Sequence, residues 1–331
     1  MRTIITTIFI YVFIATSVGQ TNQNTFDRKD KIAIRIPYSK LDTFSKWFYD
    51  GSFYEKSRKQ KQFECLKGTY KSISKNVEVW IYKPIHTKQK KFPLIIYNRG
   101  GTGNFGSLEE VDLVNFYKLS LAGYIVIASQ YQFIGTNGKY DEIGGKDLND
   151  ILNLANVYKA LPYIDTQNVF MLGISRGGQM TYQASKAMDL NAIAVIGGTA
   201  DFEMQSANRP EFLNGWNNDP NPDDNYFGLK NILPEFETHK YEYFRQRSAT
   251  YWADSIKSPV LILHSRKDQK VTCNQVLKLA NQLQKFQKEY SLIIYDQQSH
   301  ALPFKYFDSF DRIIKWFEEH KKKTTKLGTS M

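Results

Sequence analysis

The residues best suited to chemistry lie at Gly173-Ile174-Ser175-Arg176-Gly177, followed by Gly178 and preceded by the apolar run Val169-Phe170-Met171-Leu172. A G-x-S-x-G that ends a buried strand and opens a helix is the pattern of a nucleophile elbow. The sharp turn projects a serine oxygen clear of the backbone, and flanking glycines remove side chains that would collide with neighbouring segments. The helix beginning at Arg176 aims its free N–H groups and positive dipole end at the same point, so the Arg176 amide can hold an oxyanion. The chemistry that needs this arrangement is attack of Ser175 on an acyl carbonyl. Five residues alone equally fit a glycine-rich connection with an incidental serine, so the partners decide.

In a parallel sheet, catalytic groups gather at the carboxyl ends of the strands, which makes the search for partners short. After Phe92-Pro93-Leu94-Ile95-Ile96-Tyr97 comes Asn98-Arg99-Gly100-Gly101-Thr102-Gly103, whose glycines let the amide of Gly100 or Gly101 approach a reacting carbonyl. After Val260-Leu261-Ile262-Leu263-His264 comes Ser265-Arg266-Lys267-Asp268, a carboxylate just past a strand end. After Leu292-Ile293-Ile294-Tyr295 comes a polar loop ending at His300. Serine, acid and histidine thus follow successive buried strands in the order this architecture requires. His300 would take the serine proton, and Asp268 would fix its tautomer and stabilise the imidazolium. Asp201, one strand earlier, is the alternative acid; His264 falls within its strand and is not a competing base.

The elements that must position these groups follow from the hydrophobic pattern. Near-continuous apolar runs at 92–98, 124–129, 169–173, 192–197, 260–264 and 292–295 predict strands buried on both faces. Amphipathic stretches at 147–161, 276–286 and 307–317 predict helices between them, and Ser107 to Glu110 reads as a capping box opening another. Alternation of the two predicts an α/β fold with a mostly parallel sheet. Upstream, 62–74 and 77–83 predict an antiparallel hairpin, with a helix near 41–48 before it. Asp147 and Asp150, at the start of a predicted helix, are expected to cap it.

Composition narrows the function class. The chain has 331 residues and a net charge of +11, but its cations are scattered, which argues against a nucleic-acid groove. The five histidines are dispersed and no metal-ligand spacing appears, so neither metal nor cofactor is expected. Cys65 and Cys273 are expected to remain unbridged, on opposite sides of a wide sheet. Arg2, the apolar run Ile4 to Ile14 and the small residues Ser17-Val18-Gly19 predict a signal peptide (1–19) cleaved after Gly19. The run is too short for a stable membrane span, so a secreted or periplasmic protein is expected. Residues 20–331 show no composition break and are expected to form one domain, with a cap insertion at about 201–252.

Three segments together resemble the catalytic domain of the prolyl oligopeptidase family of serine hydrolases. They are Asp141 to Asp150 with its G-x-D-x-x-D, the elbow 173–178, and the tryptophan-containing run from Ser248 to Val271. The resemblance covers about Phe92 to the C-terminus and implies an α/β-hydrolase fold, with Ser175 as nucleophile, His300 as base, Asp268 as acid and an oxyanion hole from Gly100 or Gly101 and Arg176. It departs in two places. About 70 residues separate the leader from Phe92, too few for the β-propeller that many members carry. Arg99 stands where some members have tyrosine or histidine. Arg99 is therefore a candidate for binding a substrate carboxylate or helping to stabilise the oxyanion, or else a surface partner of an acid such as Asp147. Tyr97 is a candidate hydroxyl donor or a core residue.

Two substrates fit the same triad: the resemblance favours a peptide, whereas a short cap suits a small or saccharide-linked ester. Trp216 and other cap aromatics are candidates to line the substrate pocket, and Glu203, Asp223 and Asp224 to bind a substrate amine. A secreted binding protein that keeps the fold without turnover is the alternative from another class.

Overall fold

The structure, a computed structural model, describes residues 26–73, 75–86, 91–217 and 225–323. The expected signal peptide lies outside these residues. Nine strands form one sheet: β1 (Asp27–Ile32), β2 (Phe63–Ser72), β3 (Lys75–Pro84), β4 (Phe92–Asn98), β5 (Ile125–Ser129), β6 (Ile164–Ile174), β7 (Ala192–Ile196), β8 (Val260–Ser265) and β9 (Tyr290–Tyr295). Their order is β1-β2-β3-β5-β4-β6-β7-β8-β9. The first three strands pair antiparallel, and β3 meets β5 antiparallel. Every pair from β5 to β9 is parallel.

The apolar runs of β4 to β8 form strands because each face of the parallel sheet is covered by helices, so consecutive side chains both need to be apolar, whereas β9, at the edge, is only half-buried and leaves Ile294 exposed. In β4, Leu94 and Ile96 enter one core while Ile95 and Tyr97 enter the other, as period-two geometry requires. The first core is closed by α4 (Leu148–Lys159), α5 (Arg176–Ala184) and α10 (Cys273–Lys285). The second is closed by α2 (Gly51–Lys59), α3 (Leu113–Leu121) and α11 (Ser309–Glu319). A short α1 (Thr43–Phe48) precedes α2, so the chain before the hairpin carries two helices where the pattern predicted one.

Between β7 and β8 lie α6 (Phe202–Asn208), α7 (Glu211–Asn214), α8 (Leu229–Ile232) and α9 (Phe236–Arg247). Phe202, Leu213, Tyr226, Leu229, Phe236 and Phe244 give this insertion an apolar cluster of its own. The order β5-β4-β6 places successive crossovers on opposite sides of β4. The crevice at its carboxyl end is the position where such sheets bind ligands.

Two local expectations need correction. The capping interaction before α3 is Glu109 N–H to Asp112 (2.8 Å), two residues beyond the Ser107 start, and the helix proper begins at Leu113. Neither Asp147 nor Asp150 caps α4; both carboxylates are buried and turned to other partners. Asp150 accepts from Ser72 Oγ (2.6 Å) and the Gln132 amide (2.7 Å), tying α4 to the sheet. Cys65 and Cys273 are free thiols: β2 lies near one edge of the strand order, and α10 follows β8 near the other.

Candidate active site

Ser175 sits between β6 and α5 with φ 56° and ψ −123°, a left-handed conformation that serine adopts only under constraint. The constraint is visible on every side. The Ser175 amide donates to Ile196 O of β7 (2.9 Å), and its carbonyl accepts from the Gly178 amide (2.8 Å) to start the helix. A Cβ at Gly173 would lie 2.3 Å from Gly177 O, and one at Gly177 would lie 2.0 Å from Asn98 O. The glycines of the motif are therefore required by close approach of β4 and of the turn itself.

His300, in the loop after β9, brings its Nε2 to 2.8 Å from Ser175 Oγ. Its Nδ1 lies 2.7 Å from Asp268 Oδ2. The Asp268 carboxylate is fully buried, and its other oxygen accepts from the amides of Lys270 (2.7 Å) and Val271 (3.1 Å). Those amides leave Oδ2 aimed at the imidazole. The structure thus assembles the three residues from three strand ends, in an arrangement able to pass the serine proton to Nε2 while the carboxylate holds Nδ1–H.

Asp201 does not compete for this role. It caps α6 through the Met204 amide (3.1 Å) and accepts from Thr250 Oγ1 (2.9 Å) and Lys278 Nζ (2.6 Å). Burial raises its carboxyl, but these donors hold it below the usual value. His264 is fully buried, and desolvation lowers its pKa; its Nε2 reaches Val271 O at 2.9 Å.

Two residues that sequence reasoning passed over complete the geometry. Gly197, at φ 54°, gives His300 its room: a Cβ there would lie 2.3 Å from His300 O and 3.2 Å from His300 Nδ1. Ser265 Oγ donates to Gln297 O and accepts from the Ser299 amide (3.4 Å), anchoring the histidine loop to β8. The signal for the first was the Gly197-Gly198 pair at a strand end, where glycine marks close backbone approach.

The loop after β4 lies against the elbow. A Cβ at Gly100 would come within 3.2 Å of both Ile174 O and Ser175 Cβ, and Gly101 has φ 81° with Phe105 O filling the space a side chain would occupy. The Arg176 amide is at the first position of α5, where a helix leaves its N–H groups without intrahelical acceptors.

The structure gives Arg99 and Tyr97 buried structural roles in place of the substrate-facing ones considered for them, and packs Trp216 against its neighbours in the cap. Arg99 is 2% exposed and donates to Gln130 O (3.0 and 3.1 Å), Gly100 O (3.0 Å) and Gly103 O (3.3 Å), holding its own loop in shape. Burial, with Arg176 nearby, lowers its pKa to about 10. Asp147 pairs instead with Arg176 (2.5 Å). Tyr97 is buried against Phe116, ring centroids 5.1 Å apart, because it occupies the inward face of β4. Trp216 packs within the cap on Tyr226 (4.6 Å) and Phe212 (6.4 Å), and the concavity it lines includes no triad residue. Glu203 is exposed and accepts from Tyr251 Oη (2.9 Å); Asp223 and Asp224 lie outside the described residues. Among the described residues, no acidic, histidine or cysteine cluster could hold a metal, and no helix is long and apolar enough to cross a membrane.

A mostly parallel sheet covered by helices on both faces, with a serine on the turn after β6, defines an α/β hydrolase. The chain belongs to the prolyl oligopeptidase family of serine peptidases, whose profile matches residues 110–324, more than half its length. It is 26% identical over 238 residues to dipeptidyl-peptidase 5 of Porphyromonas gingivalis, covering 68% of this chain and 33% of that protein. It is 25% identical over 258 residues to the uncharacterized peptidase YuxL of Bacillus subtilis, covering 74% and 37%. The chain thus spans about a third of the length of these curated relatives. Among solved structures, the acylaminoacyl peptidase of Pyrococcus horikoshii superposes with a TM-score of 0.63 at 22% identity, covering 85% of this chain and 45% of that one.

Proposed function

We propose that this protein hydrolyses peptide bonds near the N-terminus of short peptides through a Ser175-His300-Asp268 triad. The observation that carries the reading is the pair of contacts at His300, 2.8 Å to Ser175 Oγ and 2.7 Å to Asp268 Oδ2. Ser175 Oγ attacks the scissile carbonyl carbon as its proton passes to His300 Nε2, and Asp268 stabilises the imidazolium. The carbonyl oxygen becomes an oxyanion held by the amides of Arg176 and of Gly100 or Gly101. Collapse breaks the C–N bond, the amine leaves with the His300 proton, and water deacylates the serine by the same steps in reverse.

The substrate class is supported by relatives named as dipeptidyl and acylaminoacyl peptidases. The N-terminal residues support export from the cytoplasm, which a mature N-terminus at Gln20 would test. The functional test compares kcat/KM on dipeptidyl and N-acylaminoacyl p-nitroanilides with short p-nitrophenyl esters, using Ser175→Ala as control. Anilide cleavage that disappears in the control is expected. Ester cleavage alone replaces the peptidase reading with a carboxylesterase one, and absence of Ser175-dependent turnover replaces both with a binding protein.

A further inference from the structure

Resting on the hydrolase reading above, we propose that the Arg176 side chain sets the spacing between the two halves of the oxyanion hole. Its backbone amide belongs to the elbow, whereas its guanidinium, 5% exposed, reaches across to the glycine loop after β4. Nη1 donates to Gly101 O (3.1 Å) and to Asp141 Oδ2 (2.6 Å). Nη2 donates to Asp141 Oδ1 (2.7 Å) and Asp147 Oδ2 (2.5 Å). Asp141 Oδ2 in turn accepts from the Gly103 amide (2.7 Å), so the loop is held twice, at Gly101 directly and at Gly103 through the carboxylate. One residue therefore supplies an oxyanion donor from its backbone and fixes the opposing donor with its side chain.

The surroundings leave that fork little freedom. Asp141 Oδ1 also accepts from the Ile143 amide (2.9 Å), and Asp147 accepts from the Gly144 amide (3.0 Å). The guanidinium carbons of Arg176 and Arg99 lie 5.0 and 4.7 Å from the Tyr131 ring centroid, and Tyr131 Oη donates to Arg99 O (3.3 Å). Arg99 binds the carbonyls of Gly100 and Gly103 in the same loop. The glycines of this loop, placed for close approach, offer no side chains to pack, and these two arginines hold their carbonyls instead. Arginine suits the task because its planar fork engages a carboxylate at two points and still reaches a third acceptor, which a lysine ammonium cannot reproduce in the same geometry.

The test is Arg176→Lys, which keeps the charge and loses the fork. kcat is measured per serine titrated to completion with a fluorophosphonate, alongside KM and the affinity of a peptidyl trifluoromethyl ketone whose hemiketal oxyanion occupies the hole. The expected result is a loss of about 10- to 100-fold in kcat with KM within threefold, and an equal loss of ketone affinity. A merely structural role would lower the number of titratable serines and leave kcat per serine unchanged. Should the lysine variant fail to fold, the paired change Arg176→Gln with Asp141→Asn, which removes opposite charges together, is measured in the same way. In a wild type with Ser175-dependent turnover, kcat per serine within threefold, or an unchanged ketone affinity, overturns this proposal alone. A wild type without such turnover overturns the hydrolase reading and this proposal with it.

Discussion

Gly197→Ala probes the candidate triad without touching any of its members. An added Cβ would lie 2.3 Å from His300 O, so reaching even 3.0 Å, below which such contacts essentially never occur, requires about 0.7 Å of movement. The obstacle is a backbone atom, and the displaced residue is the one that contacts both Ser175 at 2.8 Å and Asp268 at 2.7 Å. Lengthening those contacts by the same amount takes them to about 3.5 Å, the limit of a hydrogen bond. A displacement of this size lowers kcat by about 100-fold. Holding alanine at φ 54° costs a further ~1 kcal/mol of stability, or about 1–2 °C in Tm. Gly123→Ala is the matched control, because Gly123 has φ 90° with nothing within 4 Å of its Cβ position. It carries the backbone cost without the collision. The assay is kcat per titrated serine together with Tm for both variants. If Gly197→Ala retains activity within threefold of Gly123→Ala, His300 is not held where the structure puts it.

Other measurements separate the remaining roles. Asp268→Asn places an amide donor against His300 Nδ1, favouring the wrong tautomer, and is expected to reduce kcat by about 10⁴-fold. Asp201→Asn is expected to lower Tm and leave kcat within twofold; the reverse pattern would exchange the two acids. Burial raises the Asp150 carboxyl to about 7, against the hydrogen bonds from Ser72 and Gln132 that draw it down. Because this carboxyl sits at ~3.9 in the unfolded chain, the native state binds the extra proton, and stability falls as pH rises from about 4 through 7. Asparagine keeps an acceptor for Gln132 and can turn its amide N–H to Ser72 Oγ, which now donates to the carboxylate, so Asp150→Asn should gain on wild type by up to about 4 kcal/mol between pH 4 and pH 8 in urea titrations. Parallel pH profiles of the two proteins would refute that assignment.

Much of this protein was legible in its local sequence. Strands buried on both faces must be continuously apolar, and an elbow that passes between two strands must be glycine on either side of its serine. Both demands are made by nearest neighbours, so both leave a short-range signature, at 92–98 and at 173–178. The order of Ser175, Asp268 and His300 was equally readable, since each follows its own strand. What the tertiary structure decided concerns partners distant along the chain. Arg99 looked like a cation facing substrate and is instead enclosed by the carbonyls of its own loop and of Gln130. The acids that bind Arg176 lie 35 and 29 residues before it, and nothing local distinguishes them from helix caps. Asp147 and Asp150, three residues apart, turn to different partners because one faces the elbow and the other the β2 and β5 side of the sheet. Hydrophobic pattern and turn chemistry specify what each segment becomes. Which charges meet is set by the strand order, because it determines which loops converge above β4 and so which buried ions can be neutralised there.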